Sequence, residues 1–167
     1  MKIKLVAQVV KLSDAQFTMF VMPEFVAPNR YIYAVDDEYN GVVIRGECYD
    51  RQFMFGKGAG GRPTASSLLS DITALRHNYR YEYKKSGFTP RPEYTADVTL
   101  KIYARYEHTD LRTALPWIAV NEEYRCDDYR YVIGEIRLSD LIAAAPLLRA
   151  DDIFLCNFPR FFADRDD

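Results

Sequence analysis

The residues best able to do chemistry lie in one run, Gly56-Lys57-Gly58-Ala59-Gly60-Gly61-Arg62-Pro63-Thr64-Ala65-Ser66-Ser67. Four glycines fall within six residues there, so backbone amides could approach an anion closely. Helical spacing follows, and a helix start adds unsatisfied N–H groups and a positive dipole end, which favour a phosphate. Thr64 is the expected N-cap. Lys57 and Arg62 flank the glycines. No Gly-Lys-Ser/Thr closes the run, so it is not a Walker loop, and no G-x-G-x-x-G is read in it, so it is not taken as a dinucleotide fingerprint. Taken alone, the loop is most simply a tight strand-to-helix turn that needs positive φ.

Other reactive groups give less. His77 and His108 are the only histidines. His77 falls at the end of the helix after the glycine loop, where a cation suits the dipole. His108 lies in a turn beside Glu107 and Asp110, but two carboxylates and one histidine in a loop are commonplace, so no metal is assigned. Cys48, Cys126 and Cys156 are odd in number and widely spaced, against a disulfide framework or a zinc cluster. Reduced, buried thiols are the expectation. No Ser-His-Asp or Cys-His pairing is legible, and no catalytic residue is assigned. Asp36-Asp37-Glu38 and the tail Asp164-Arg165-Asp166-Asp167 read as solvated charge. Tyr79, Tyr81 and Tyr83 alternate with Arg80, Glu82 and Lys84, which reads as a strand.

Around these groups, Ile3 to Leu12 alternates as a strand, Ser13-Asp14 turns, and Phe17 to Val26 forms a second strand apolar on both faces. Val42-Val43-Ile44 and Phe53-Met54-Phe55 are short strands joined near Tyr49-Asp50-Arg51. Leu68, Leu69, Ile72 and Leu75 mark the helix after the loop. Residues 84–94, with Gly87, Pro90 and Pro92, read as a linker. Beyond it, Val98, Leu100, Ile102 and Ala104 alternate with Thr99, Lys101, Tyr103 and Arg105. Asp110 caps a short helix that Pro116 cuts off. A weak edge strand at 122–128, a strand at 131–138, a helix capped by Ser139 and a strand at 152–158 complete the chain. The order matches a split βαβ unit. The fold class is therefore α+β, with residues 1–83, 84–94 and 95–167 as first domain, linker and second domain.

The 167 residues allow one ordinary domain or two small ones. Hydrophobic residues at 49% and charged ones at 28% exclude a disordered chain. With 22 basic against 24 acidic residues, the net charge of -2 gives no basic excess for nucleic acid. No apolar run nears the ~20 residues that span a bilayer. Met1 to Leu5 turns polar too quickly for a signal peptide. A cytoplasmic protein with neither nucleic-acid nor membrane partners is expected. Aromatic content of 14% favours a sheet-rich fold.

The order Asn40-Gly41-Val42-Val43, then Phe55 to Ser66, then Asp71 resembles the C-terminal part of the homoserine dehydrogenase family. Val21-Met22-Pro23 and Ile3 to Ala7 resemble it too, so the likeness covers residues 1–83. It implies an enzyme that interconverts L-aspartate 4-semialdehyde and L-homoserine with NADPH or NADH, on the route to threonine and methionine. In that family a Rossmann domain and a catalytic lysine precede this segment, and neither is read in this chain. The resemblance therefore implies a piece that is inactive alone, binds no cofactor tightly, and partners those missing segments. By resemblance, Gly58, Ala59, Gly60 and Thr64 would lie near the nicotinamide, with Gly61 and Arg62 beside them. The first-half strands would form a homodimer sheet. Residues 95–167 resemble an ACT domain, a ferredoxin-like βαββαβ module that often binds an amino-acid effector. The family's Asp-x-x-Gly turn is replaced here by Glu107-His108-Thr109-Asp110. An amino-acid-binding module and a purely structural dimerisation module are the competing functions.

Overall fold

The structure is a computed structural model that describes residues 1–79 and 91–158. Its contacts divide into two units, Met1–Lys2 with Val26–Thr89 and Ile3–Phe25 with Pro90–Asp167. Residues 3–25 thus group with the second half and not with 26–89. Most of the expected linker, and Tyr81 and Tyr83, lie outside the described residues. Glu93–Tyr94, at the linker's end, forms a short strand.

In the second unit, β1 (Lys2–Lys11) and β2 (Gln16–Val26) are neighbours in a sheet joined at the 12–15 turn. β5 (Glu93–Tyr94) runs parallel to the start of β2. β6 (Thr99–Tyr106), β7 (Ala119–Arg125), β8 (Arg130–Arg137) and β9 (Phe154–Phe158) complete it in the order β1-β2-β9-β6-β8-β7. β6 pairs antiparallel with both β8 and β9, and β7 antiparallel with β8. The joint between β2 and β9 is parallel, at Glu24 and Asn157. Glu24 is only 2% exposed, and it accepts hydrogen bonds from Gln8 Nε2 and from Asn157 Nδ2 at 3.3 Å. Neutral amides thus meet a buried carboxylate that an unpartnered site would exclude.

The alternation in β6 does what its pattern requires. Leu100, Ile102 and Ala104 face Ile136, Gly134 and Val132 across the ladder. They form one core with Leu111 and Leu115, and with Leu138 and Leu141 of α3 (Leu138–Ala143). Phe20 and Met22 of β2 pack against it. The short helix α2 (Leu111–Ala114) is capped by Asp110, whose side chain accepts from Arg112 N at 3.1 Å. Pro116 then prevents continuation. Trp117 packs against the core, and its Nε1 donates to Leu111 O at 2.9 Å. Arg137, not Ser139, occupies the N-cap of α3, and no side chain bonds that cap. The strand ends at Arg137 and the helix begins at once, so the expected cap Ser139 lies inside its first turn.

Ile136 is 0% exposed in this core. Ile136→Ala should therefore destabilise the second unit by about 2–5 kcal/mol, through lost transfer energy and a residual cavity. Urea unfolding followed by Trp117 fluorescence reads it. A loss under ~1 kcal/mol would mean that the core collapses onto the gap.

In the first unit, β3 (Tyr39–Gly46) and β4 (Asp50–Lys57) form a two-stranded antiparallel hairpin, followed by α1 (Gly61–Arg76). The hairpin is laced by stacked rings, Tyr39 on Phe55 at 4.8 Å and Tyr31 on Phe53 at 5.5 Å. The whole is a mixed α+β, mostly sheet structure. No helix among the described residues is long and apolar enough to cross a membrane.

Candidate functional site

β4 delivers the glycine loop directly into α1. Gly60 is the N-cap, with φ 111, a conformation that a side chain strains. The φ at Gly58 is not positive, so its requirement differs from the expected one. A Cβ there would collide with Asn40 Nδ2 on β3. The helix begins at Gly61, three residues before the expected N-cap at Thr64. Thr64 is within the first turns, and its hydroxyl donates back to Gly60 O at 2.9 Å. Pro63 is tolerated there because the first N–H groups of a helix lack intrahelical partners. His77 is the C-cap of α1, at the predicted end.

The loop borders an open hollow of about 570 Å³, lined by Glu38, Lys57, Ala59, Gly60, Gly61, Arg62 and Pro63. Of the four residues assigned from sequence, Ala59 and Gly60 line it, while Gly58 sits against Asn40 and Thr64 braces the turn. Glu38 and Pro63 were not singled out. Glu38 reads as solvated charge until the hairpin register is known. Tyr39 pairs with Lys57, which brings Lys57 Nζ to 2.5 Å from Glu38 Oε1. That hydrogen bond holds the Glu38 carboxyl below its ordinary pKa. Lys57 also sits 5.1 Å from the Tyr39 ring centroid.

The first turn of α1 has no acidic residue and no side-chain cap. Its free N–H groups, with Arg62 and Lys57 nearby, suit an anionic group. The lining holds no hydroxyl, thiol or imidazole. Gly56, Gly58 and Gly61 do have G-x-G-x-x-G spacing, which corrects the sequence reading. The strand before them belongs to an antiparallel hairpin, however, not to the βαβ unit that a dinucleotide fingerprint needs.

The backbone N–H groups of His108 and Thr109 donate to Asp152 at 2.8 and 3.3 Å, which lowers the Asp152 pKa. No group of three or more His, Cys, Asp and Glu is placed to hold a metal among the described residues. The cysteines are free, but Cys48 is exposed, contrary to the expectation of burial, because it lies in the β3–β4 turn. Cys156 is buried, and burial pushes its thiol to about 12.

The family model for homoserine dehydrogenase covers residues 1–73, which include the whole loop. Residues 1–73 match the homoserine dehydrogenase family. The homoserine dehydrogenase of Bacillus subtilis (strain 168) is 33% identical over 86 residues, 51% of this chain and 20% of its own length. That of Mycobacterium tuberculosis (strain H37Rv) is 36% identical over 58 residues, 35% of this chain and 13% of its own. Among solved structures, a homoserine dehydrogenase from Thiobacillus denitrificans aligns with a TM-score of 0.63 at 17% identity, covering 95% of this chain and 42% of the other. The S. aureus homoserine dehydrogenase at pH 6.0 aligns at 0.51 and 19%, with 95% and 42% covered. These structural likenesses establish a shared fold. The homologues of this chain are thus homoserine dehydrogenases, an oxidoreductase family. The chain spans about a fifth of the length of the Bacillus relative.

Proposed function

We propose that this chain is the part of a homoserine dehydrogenase that shapes the cofactor side of the active site and the dimer sheet. The reaction interconverts L-aspartate 4-semialdehyde and L-homoserine, with a bound NADPH or NADH supplying the hydride. The observation that carries this reading is the loop from Phe55 to Ser66, inside the family match and bordering an open hollow flanked by Arg62 and the Lys57–Glu38 pair. The N-terminal amides of α1, Gly60 and Ala59 would hold the cofactor, with Thr64 fixing the turn. Gly60 supports that fit, since its φ of 111 keeps any side chain out of the approach. Dinucleotide binding and the catalytic lysine are assigned to segments of the enzyme outside this chain. The isolated chain should therefore show no homoserine-dependent reduction of NADP or NAD, because positioning alone replaces neither group. Turnover by the pure chain above a blank would overturn this division of labour.

A second reading makes residues 95–167 an ACT-like effector module. The strand order β9-β6-β8-β7, with α2 between β6 and β7 and α3 between β8 and β9, supports the reading of a ferredoxin-like βαββαβ unit. Calorimetric titration with threonine, methionine and lysine separates an effector module, which gives saturable heat with one of them, from a structural unit, which gives none.

A further inference from the structure

The second unit carries a cleft that neither the glycine loop nor the family resemblance accounts for. Pro116 limits α2 to four residues, Leu111–Ala114, between β6 and the edge strand β7. A cavity of about 260 Å³ opens there. Its lining includes Tyr106, Asp110, Arg112, Glu123, Arg125 and Arg130.

The polar partners in this cleft are unevenly shared. Asp110 already accepts from the Tyr106 hydroxyl at 3.2 Å and from Arg112 N. Glu123 accepts from Arg112 Nε at 3.2 Å. Glu122, the next carboxylate on β7, accepts from the Tyr131 hydroxyl at 2.5 Å. Asp127 and Asp128, in the turn between β7 and β8, form no ion pair with either remaining arginine. Arg125 and Arg130 are thus left without a carboxylate partner among the described residues. They are also direct cross-strand partners in the β7–β8 ladder. Like charges directly opposite each other destabilise a sheet. A sheet that retains such a pair beside a cavity gains stability when an anion enters and bridges them.

We propose that this cleft binds a small phosphate-bearing anion, either inorganic phosphate or the monoester of a small metabolite, bridged by Arg125 and Arg130. Two arginines on directly paired backbone positions, both lining the cavity, can turn two guanidinium forks onto the several acceptor oxygens of a phosphate. The volume admits a short ester and excludes a dinucleotide. Tyr106, 3% exposed, forms a wall whose hydroxyl is already committed to Asp110. The site rests on the second unit alone and stands apart from the cofactor-loop reading.

The test uses the full chain in thermal melts and calorimetric titrations, at one pH and at ionic strength matched with chloride. Inorganic phosphate and glycerol phosphate are the probes, and succinate is the dicarboxylate control. Phosphate should raise the melting temperature and bind saturably. Arg125→Gln and Arg130→Gln should each weaken binding by about tenfold or more, the loss of one charge-assisted contact. In chloride alone both variants should melt no lower than the parent, because one of two apposed like charges is gone. Lys101→Gln, on the opposite face of β6, should leave phosphate binding unchanged. Arg125 is exposed, so its variant decides the matter should the Arg130 variant misfold. Response to glycerol phosphate as well as phosphate marks a metabolite site; phosphate alone marks a site for the free ion. No phosphate effect beyond chloride, an equal effect of succinate, or full retention in Arg125→Gln would overturn the proposal.

Discussion

Light scattering of the purified chain at micromolar concentration should report a dimer or a larger assembly. The argument is area. In the first unit, Leu68, Leu69, Ile72 and Leu75 of α1 are 58% to 73% exposed, although their spacing builds an apolar stripe. Val42, Met54 and Phe55 on the hairpin are more than half exposed as well. In the second unit, Phe20 and Met22 turn one face of β2 into the core, but Met19 and Val21 leave its other face bare. Ile3, Leu5 and Val9 extend that bare face across β1. Each such side chain is worth about 1.5–3 kcal/mol when fully buried. Exposed apolar faces of this kind, taken in each unit by itself, mark interaction surfaces. The proposed homodimer through the first-half strands would cover the bare β1–β2 face, and cyclic symmetry makes one such face serve both copies. Leu5→Lys combined with Val21→Lys should shift the assembly towards monomer without unfolding it, since neither side chain enters the core. A clean monomer of the parent chain at micromolar concentration would show that these faces tolerate water.

The second large effect concerns the loop. In a full-length enzyme carrying it, Gly60→Val should cut kcat/KM for the nicotinamide cofactor by at least about tenfold, which corresponds to ~1.4 kcal/mol. A β-branched residue at a φ of 111 is strained in its own backbone. Relief of that strain moves the first turn of α1 away from the hollow. Gly58→Val should act by a different route, because its side chain must displace the Asn40 amide. Gly56→Ala is the control: a Cβ there meets nothing within 4 Å, and its kinetics should stay at the parental value. Circular dichroism separates a folded variant from a collapsed one. Parental kinetics in a folded Gly60→Val variant would reduce the loop to a simple turn.

The sequence exposed these features unevenly. The alternation of Val98, Leu100, Ile102 and Ala104 was legible because one buried face forces a period of two, and all four are buried. Asp110 and Pro116 bounded α2 correctly, since capping and proline chemistry are local. The partnership of β2 with β9 was not legible. It is carried by Glu24 and Asn157, 133 residues apart, and nothing in either residue type names the other. The β3–β4 hairpin was visible in Val42 to Ile44 and Phe53 to Phe55, but its register was not. Both the Lys57–Glu38 pair and the reason for glycine at 58 depend on that register. The loop was found as a motif; its mechanics came from its neighbours. The cleft at Arg125 and Arg130 was invisible for the same reason, because those residues meet only once β7 and β8 are aligned.

The most direct test of the homoserine dehydrogenase assignment is a recombination assay. The Bacillus subtilis homoserine dehydrogenase is cut before the segment that matches this chain, and its N-terminal part is mixed with or fused to the chain. Homoserine-dependent reduction of NADP is then followed by absorbance. Neither part alone should turn over, their combination should, and Gly60→Val in this chain should remove the gain. A folded and associated combination without turnover, or turnover indifferent to Gly60→Val, would contradict the assignment.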